Sequence, residues 1–99
     1  MIGVFVRFCY EGDFDEQRVR KVAETAQGKF VGLPGLRSKA FTVDLAQKEA
    51  LNFYVWESKA AAQAFFTPEL VDRVTVLYGT RPTVQFTDVV ALVDNIPHA

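Results

Sequence analysis

The sequence predicts an α+β domain in which helices cover one face of a four-stranded antiparallel sheet. Two observations predict this class. Strand-like and helix-like apolar patterns follow each other in the order β-α-β-β-α-β, with the second helix broken in two, and that order is the ferredoxin-like arrangement. The length of 99 residues fits one domain, so residues 1–99 are expected to form a single unit.

The first strand and the first helix are predicted within residues 2–30. The run IGVFVRFCY at 2–10 combines β-branched and aromatic residues and ends in a turn at 11–13. Asp13 and Glu16 resemble a capping box, with Asp in the place of Ser or Thr. Apolar residues at helical spacing then predict an amphipathic helix from about 15 to 30: Val19, Val22, Ala23 and Ala26.

Residues 36–56 are predicted to form a β-hairpin. Gly32 and Pro34-Gly35 end the helix before it. The strand LRSKAFTV is followed by the polar segment DLAQKEA, and LNFYVWE returns as the third strand.

The second helical region is predicted to contain two helices. Ser58 is the expected N-cap of the first, KAAAQAFF. Thr67 caps the second, with Pro68 at its first position, and Gly79 ends it. TVQFTDVVALV at 83–93 is the predicted last strand.

Both faces of the predicted sheet are apolar. In the third strand Asn52, Tyr54 and Trp56 alternate with Phe53 and Val55, and neither set is typical of a solvated face. Since the helices cover only one face, we expect a second copy of the chain to cover the other. The prediction is a homodimer packed sheet to sheet.

The composition argues against nucleic acid and membrane partners. Eleven Lys and Arg balance twelve Asp and Glu, with no basic run. No apolar stretch approaches the roughly 18 to 20 residues that cross a bilayer, and the first residues do not resemble a signal peptide. A cytoplasmic location is the expectation.

Several kinds of catalytic site are not indicated by the sequence. The single histidine, His98, lies next to the end of the chain, and Cys9 has no second cysteine and is expected to be a buried structural thiol. Because no histidines and carboxylates occur at ligand spacing, no metal site is predicted. No base that would act at neutral pH is evident either.

Polar side chains on otherwise apolar strands are the candidate site. Arg7 lies in the first strand, Lys39 in the second and Tyr54 in the third. One interpretation is that Arg7 or Lys39 meets the anion of a ligand held against Tyr54 and Trp56. The other is that Arg7 pairs with Asp88 or lies at an edge, that Lys39 is solvated, and that the aromatic residues are core or interface residues.

The alanines of KAAAQAFF also allow two interpretations. Small side chains at 60–62 and 64 leave room beneath the helix for a ligand. Helix propensity explains the same alanines without a cavity.

Three stretches carry a family resemblance. FDE at 14–16, LPGLRSKAF at 33–41 and FYVWESKAAAQAFF at 53–66 resemble the small mono-oxygenases of the YdhR type. These belong to the dimeric α+β barrel superfamily that includes the antibiotic-biosynthesis monooxygenases. The resemblance covers roughly residues 3–93.

The resemblance implies two sheets closed into a barrel by a homodimer, with a pocket in each protomer. It also implies oxidation of a small aromatic or polycyclic phenolic compound by molecular oxygen without a metal, flavin or haem cofactor. Tyr54 and Arg7 are then the catalytic candidates. The substrate-binding candidates are Lys39, Phe41, Asn52, Trp56 and Phe65.

Two alternatives share this fold. One is a non-catalytic protein that binds a small hydrophobic molecule or serves in a stress response, and the other is an isomerase or lyase that needs an acid and a base but no oxygen. Haem degradation is disfavoured, because Phe65 stands where those relatives have a second Trp and no histidine precedes His98.

Overall fold

A computed structural model describes residues 1–95, so His98 lies outside the described residues. The sheet is antiparallel, in the order β2-β3-β1-β4, and confirms the predicted ferredoxin-like α+β topology. The elements are β1 (Ile2–Cys9), α1 (Glu16–Phe30), β2 (Leu36–Asp44), β3 (Glu49–Trp56), α2 (Lys59–Phe65), α3 (Pro68–Tyr78) and β4 (Thr83–Asp88).

The ends of the helices follow side-chain caps. Ser58 and Thr67 accept hydrogen bonds from the backbone N–H groups three residues later, at 3.1 and 3.2 Å, as predicted. Gly79 ends α3 with φ 79°. The N-cap of α1 was predicted wrongly at Asp13, because Asp15 accepts from the Arg18 N–H at 3.0 Å.

The β2–β3 hairpin contains a bulge that decides which side chains of β2 face the helices. Leu36 pairs with Trp56 and Ser38 with Val55, so Arg37 is the extra residue. From there the register is regular, with Lys39 opposite Tyr54. Directly opposite residues share a face of the sheet. Lys39 therefore lies on the same face as Tyr54.

The last strand is shorter than predicted. β4 ends at Asp88 rather than at residue 93. The ladder between β1 and β4 ends at the pair Ile2–Asp88, and beyond it the Met1 carbonyl accepts from the Val89 N–H at 3.1 Å. Residues 89–95 form no strand, and Val90 is 98% exposed.

The core lies between the helices and one face of the sheet, here called the inner face. Val4, Val6 and Phe8 of β1 are buried there beside Tyr54 and Trp56 of β3. Asn52, Tyr54 and Trp56 of β3 therefore all point toward the helices, and Phe53 points to the opposite side of the sheet.

The opposite face of the sheet, the outer face, carries Phe5, Arg7 and Cys9 of β1 and Leu51 and Phe53 of β3. The rings of Phe5 and Phe53 lie 4.8 Å apart, centroid to centroid. Cys9 is exposed, so the expectation of a buried thiol was wrong. Within residues 1–95 no helix has the length and apolar character needed to cross a membrane.

Candidate functional site

A cavity of about 290 Å³ lies between the inner face and the helices. Every strand and every helix of the described chain contributes to its wall. The lining is mainly aliphatic and aromatic, with few polar groups. Such a site is typical of a small-molecule pocket, in which a few polar side chains orient an apolar ligand.

The structure brings most of the predicted site residues together in this cavity. β2 and β3 supply the polar residues, and α2 closes one end. The predicted residues that line the cavity are Lys39, Phe41, Asn52, Tyr54 and Phe65.

Arg7 is not brought to the cavity. It alternates with Val6 and Phe8 and therefore points to the outer face, where its Nη1 lies 2.7 Å from Glu49 Oε2 on β3. Its ion-pair partner is thus Glu49 and not Asp88. Sequence alternation could not place it, because both faces of β1 are apolar.

Lys39 is held by aromatic rings from three elements. Its Nζ lies 3.5 Å from the ring centroid of Phe30, 4.0 Å from that of Phe41 and 4.3 Å from that of Tyr54. We call these three rings the aromatic cage. Each ring face attracts a cation.

No carboxylate of residues 1–95 forms an ion pair with this amine. Ion pairs of other side chains include Arg7–Glu49, Arg20–Glu16 and Arg81–Asp72. Burial lowers the pKa of Lys39 to about 7. The interpretation of Lys39 as a solvated side chain was therefore wrong, and a group that titrates near neutral pH does face the cavity.

Tyr54 also packs against three aromatic rings outside the aromatic cage. Its ring lies 5.0 Å from Phe66 and 5.9 Å from Phe65, and it stacks on Trp56 at 6.1 Å. Burial, and next to it the Tyr78 hydroxyl, raises the pKa of Tyr54 far above its usual range. The hydroxyl therefore stays protonated at neutral pH and can serve as a hydrogen-bond donor.

Asn52 is fixed by Tyr78, a residue that the sequence analysis did not select. The Asn52 side chain is buried, and its Nδ2 donates to the Tyr78 hydroxyl at 3.1 Å. Tyr78 in turn stacks on Phe8 at 3.8 Å. Tyr78 and Phe30 occupy the last turns of α3 and α1, and a large aromatic residue in a final helical turn was the available signal for both.

Trp56 lies behind the cavity wall rather than in it. The side chain is 1% exposed, and its Nε1 has no hydrogen-bond partner among the described residues. Gly35 packs closely against both Trp56 and Ala61. A Cβ added at Gly35 would lie 2.9 Å from Ala61 Cβ and 3.8 Å from Trp56 Cε3. The alanine at 61 thus allows close packing of the loop onto α2 and opens no room for a ligand.

The donor set does not form a metal site in the part of the chain that the structure describes. No group of three or more His, Cys, Asp or Glu side chains is placed to hold an ion there. The polar side chains that line the cavity are those of two lysines, an arginine, an asparagine and two tyrosines, and none of them is a carboxylate, histidine or thiol: Lys29, Lys39, Asn52, Tyr54, Arg73 and Tyr78.

The fold is shared with solved structures of low sequence identity. No protein-family model and no curated protein matches the chain. Rv0793 from Mycobacterium tuberculosis is 14% identical, with a TM-score of 0.69 over 94% of this chain and 98% of that chain. A monooxygenase from the gene ActVA-Orf6 of Streptomyces coelicolor, in complex with nanaomycin D, is 20% identical, with a TM-score of 0.69 over 98% of this chain and 92% of that chain.

A third structure is SnoaB, a cofactor-independent oxygenase from Streptomyces nogalater. It is 15% identical, with a TM-score of 0.65 over 93% of this chain and 95% of that chain. A further structure of this fold is described as an antibiotic biosynthesis monooxygenase. At these identities the likeness shows the fold, which is the fold that the resemblance implied.

Proposed function

We propose that the chain is a cofactor-independent monooxygenase that acts on a small phenolic aromatic compound. The observation that carries this proposal is Lys39, whose amine lies in an apolar, aromatic-lined cavity without a carboxylate partner among residues 1–95. A buried cation of this kind needs an anionic or strongly polar group beside it. A phenolate supplies both the charge and an aromatic body that fits the cavity.

The substrate would lie between Phe41 and Phe65, with its oxygen toward Lys39. The protonated hydroxyl of Tyr54 would donate to that oxygen and stabilise negative charge as it develops. Asn52 would supply a fixed amide, and Trp56 would support the Tyr54 ring from behind. An electron-rich anion held away from water can itself reduce oxygen, so the residues need only bind, ionise and shield it.

The size of the cavity favours a small substrate. A volume of about 290 Å³ lies at the lower end of the roughly 300–1,000 Å³ usual for ligand sites. Compounds of one or two fused rings are therefore better candidates than large polycyclic ones.

Two of the structures of the same fold support an oxygenase. One is described as a monooxygenase and was solved with nanaomycin D, and the other as a cofactor-independent oxygenase. We further propose that the protein is a cytoplasmic homodimer joined through the outer face. The partly covered ring pair of Phe5 and Phe53 on that face supports a second copy there.

Oxygen uptake tests the proposed reaction. A panel of hydroquinones, naphthols and anthrones is offered to the wild type and to Tyr54→Phe, Lys39→Met and the exposed control Lys59→Met. We expect uptake by the wild type and the control, and a loss of about 100-fold or more in Lys39→Met, in the range of acid–base and charge-stabilising contributions.

The same panel separates the alternatives. An isomerase or lyase, which could use Lys39 and Tyr54 as base and acid, would turn over a substrate in the absence of oxygen. A binding protein would quench Trp56 fluorescence with a panel compound and turn over none. Absence of oxygen uptake with every compound contradicts the oxygenase for this panel.

A further inference from the structure

We propose that Lys39 is the proton acceptor that starts the reaction: its neutral amine takes the phenolic proton, and the ammonium so formed stays beside the phenolate. This inference rests on the proposed function and deepens it, since that function requires of Lys39 only a positive charge beside the phenolate. In the step one O–H bond of the substrate breaks and one N–H bond of Lys39 forms. No oxidant takes part in it.

The aromatic cage places the amine at the wall of the cavity. Phe30, Phe41 and Tyr54 all line the cavity together with Lys39. Three contacts of 3.5–4.3 Å from three different elements restrict Nζ to one position. A phenol that stacks in the cavity would thus present its hydroxyl to a fixed acceptor, as general-base catalysis requires.

The charges around Lys39 leave the amine available as a base. The other titratable groups that line the cavity are Lys29 on α1, Tyr54 on β3, and Arg73 and Tyr78 on α3, and β1, α2 and β4 contribute none. None of these is a carboxylate that would keep Lys39 protonated. Burial is the cause of its lowered pKa, near 7, so a large fraction of the amine is neutral at neutral pH.

The other titratable side chains that line the cavity are less suited than Lys39 to accept the phenolic proton. Tyr54 and Tyr78 have raised pKa values and remain protonated. Arg73 carries a guanidinium, whose nitrogens are hydrogen-bond donors and offer no acceptor. Lys29 is exposed to solvent.

The aromatic cage also stabilises the product of the transfer. When the proton reaches Nζ, the three ring faces attract the new cation, and the phenolate lies next to it in a medium of low dielectric. Lys39, Phe30 and Phe41 also line a second, open depression at the surface with Gln27 and Ser38. The amine can therefore return its proton to solvent on that side after turnover.

Proton counting tests the inference without any oxygen chemistry. The probe is meta-nitrophenol in weakly buffered neutral solution, where it is un-ionised and nearly colourless, with an indicator dye reporting protons. Because a pKa of about 7 leaves roughly half of the Lys39 amines neutral in this solution, we expect the wild type to bind it as the yellow phenolate with release of about half a proton per site, the neutral amines retaining the rest. Lys39→Arg keeps the cation but cannot accept the proton, so the same colour should appear with release of about one proton per site.

Steady-state oxygen uptake supplies the second readout. Since Lys39→Arg can bind only the fraction of substrate that is already phenolate in solution, we expect its kcat/KM to fall by about 100-fold or more near neutral pH for a phenol with a pKa of about 10, with little change in kcat, and to recover at a pH where the substrate is ionised. Wild-type kcat/KM should rise with pH through a midpoint near the Lys39 pKa of about 7.

Failure of the inference and failure of the proposed function are distinguishable. Colourless binding of the nitrophenol, proton release from the wild type equal to that from Lys39→Arg, or an unchanged kcat/KM in Lys39→Arg near neutral pH overturns the base. If no compound is oxidised but the wild type releases fewer protons than Lys39→Arg, the base stands and the oxygenase falls.

Discussion

Lys39 carries an amine that the fold holds against three aromatic rings, and no carboxylate of residues 1–95 forms an ion pair with it. Cation–π attraction favours the ammonium, whereas burial favours the neutral amine. Because burial lowers the pKa of Lys39, the folded state accommodates its neutral amine more favourably than its ammonium form. At low pH, where Lys39 is charged, its burial therefore lowers the free energy of unfolding.

Replacement of Lys39 by methionine should show this cost as a function of pH. The pKa is 10.5 in the unfolded chain and about 7 in the folded one, so between these values the unfolded state binds more protons and wild-type stability rises with pH. Lys39→Met removes that dependence. We expect the variant to be more stable than the wild type at and below pH 7, with an advantage that shrinks toward pH 10.5.

Thermal unfolding of both proteins across this pH range is the measurement. Lys59→Met, at an exposed position in the first turn of α2, is the matched control and should track the wild type. A difference in Tm between Lys39→Met and the wild type that stays constant with pH contradicts the buried, pKa-shifted amine.

At the scale of single residues, the sequence predicted most of the side chains that line the cavity but not how they are arranged. Alternation predicted that Asn52, Tyr54 and Trp56 share a face, but it could not choose the face. The aromatic cage depends on a bulge at Arg37 and on Phe30 in the last turn of α1. The sequence does not mark the bulge, and an aromatic residue in a final helical turn does not show which side chain it will contact, so Lys39 could be selected from sequence only as a polar residue in an apolar strand.

At the scale of elements, local rules predicted the interiors well and the ends less well. The strands of the hairpin, the caps at Ser58 and Thr67 and the stop at Gly79 follow from residues near in sequence. β4 was predicted too long because its length depends on how far it pairs with β1, and that pairing ends at Ile2–Asp88. A pattern of apolar residues does not contain that information.

The N-cap of α1 offers a direct test of one such end. Asp15 satisfies the Arg18 N–H, whereas Asp13 lies outside the helix. Asp15→Ala should lower the free energy of unfolding by about 1 kcal/mol, and Asp13→Ala should leave it unchanged within about 0.5 kcal/mol. Urea unfolding of the two variants measures this difference. Equal losses of unfolding free energy in the two variants, or a larger loss in Asp13→Ala, would contradict Asp15 as the N-cap and support the predicted capping box at Asp13.

At the scale of the whole molecule, the inner and outer faces of the sheet differ in how they are covered. Three helices and the cavity occupy the inner face. On the outer face Phe5 and Phe53 remain partly exposed next to the Arg7–Glu49 ion pair. A sheet with apolar residues on both faces is usually covered on both. We therefore assign the outer face to a second copy of the chain and the inner face to the ligand.

This division predicts that association and ligand binding can be separated by mutation. Phe53→Glu places a charge in the middle of the outer face and should convert a dimer into a monomer, since an unpaired charge at an apolar interface is costly. Val76→Glu, at a 77% exposed site on α3, should leave the dimer intact. Sedimentation equilibrium at micromolar concentration measures both, and meta-nitrophenol binding shows whether the cavity survives. A monomeric wild type, or a Phe53→Glu variant that remains dimeric, would refute the outer face as the interface.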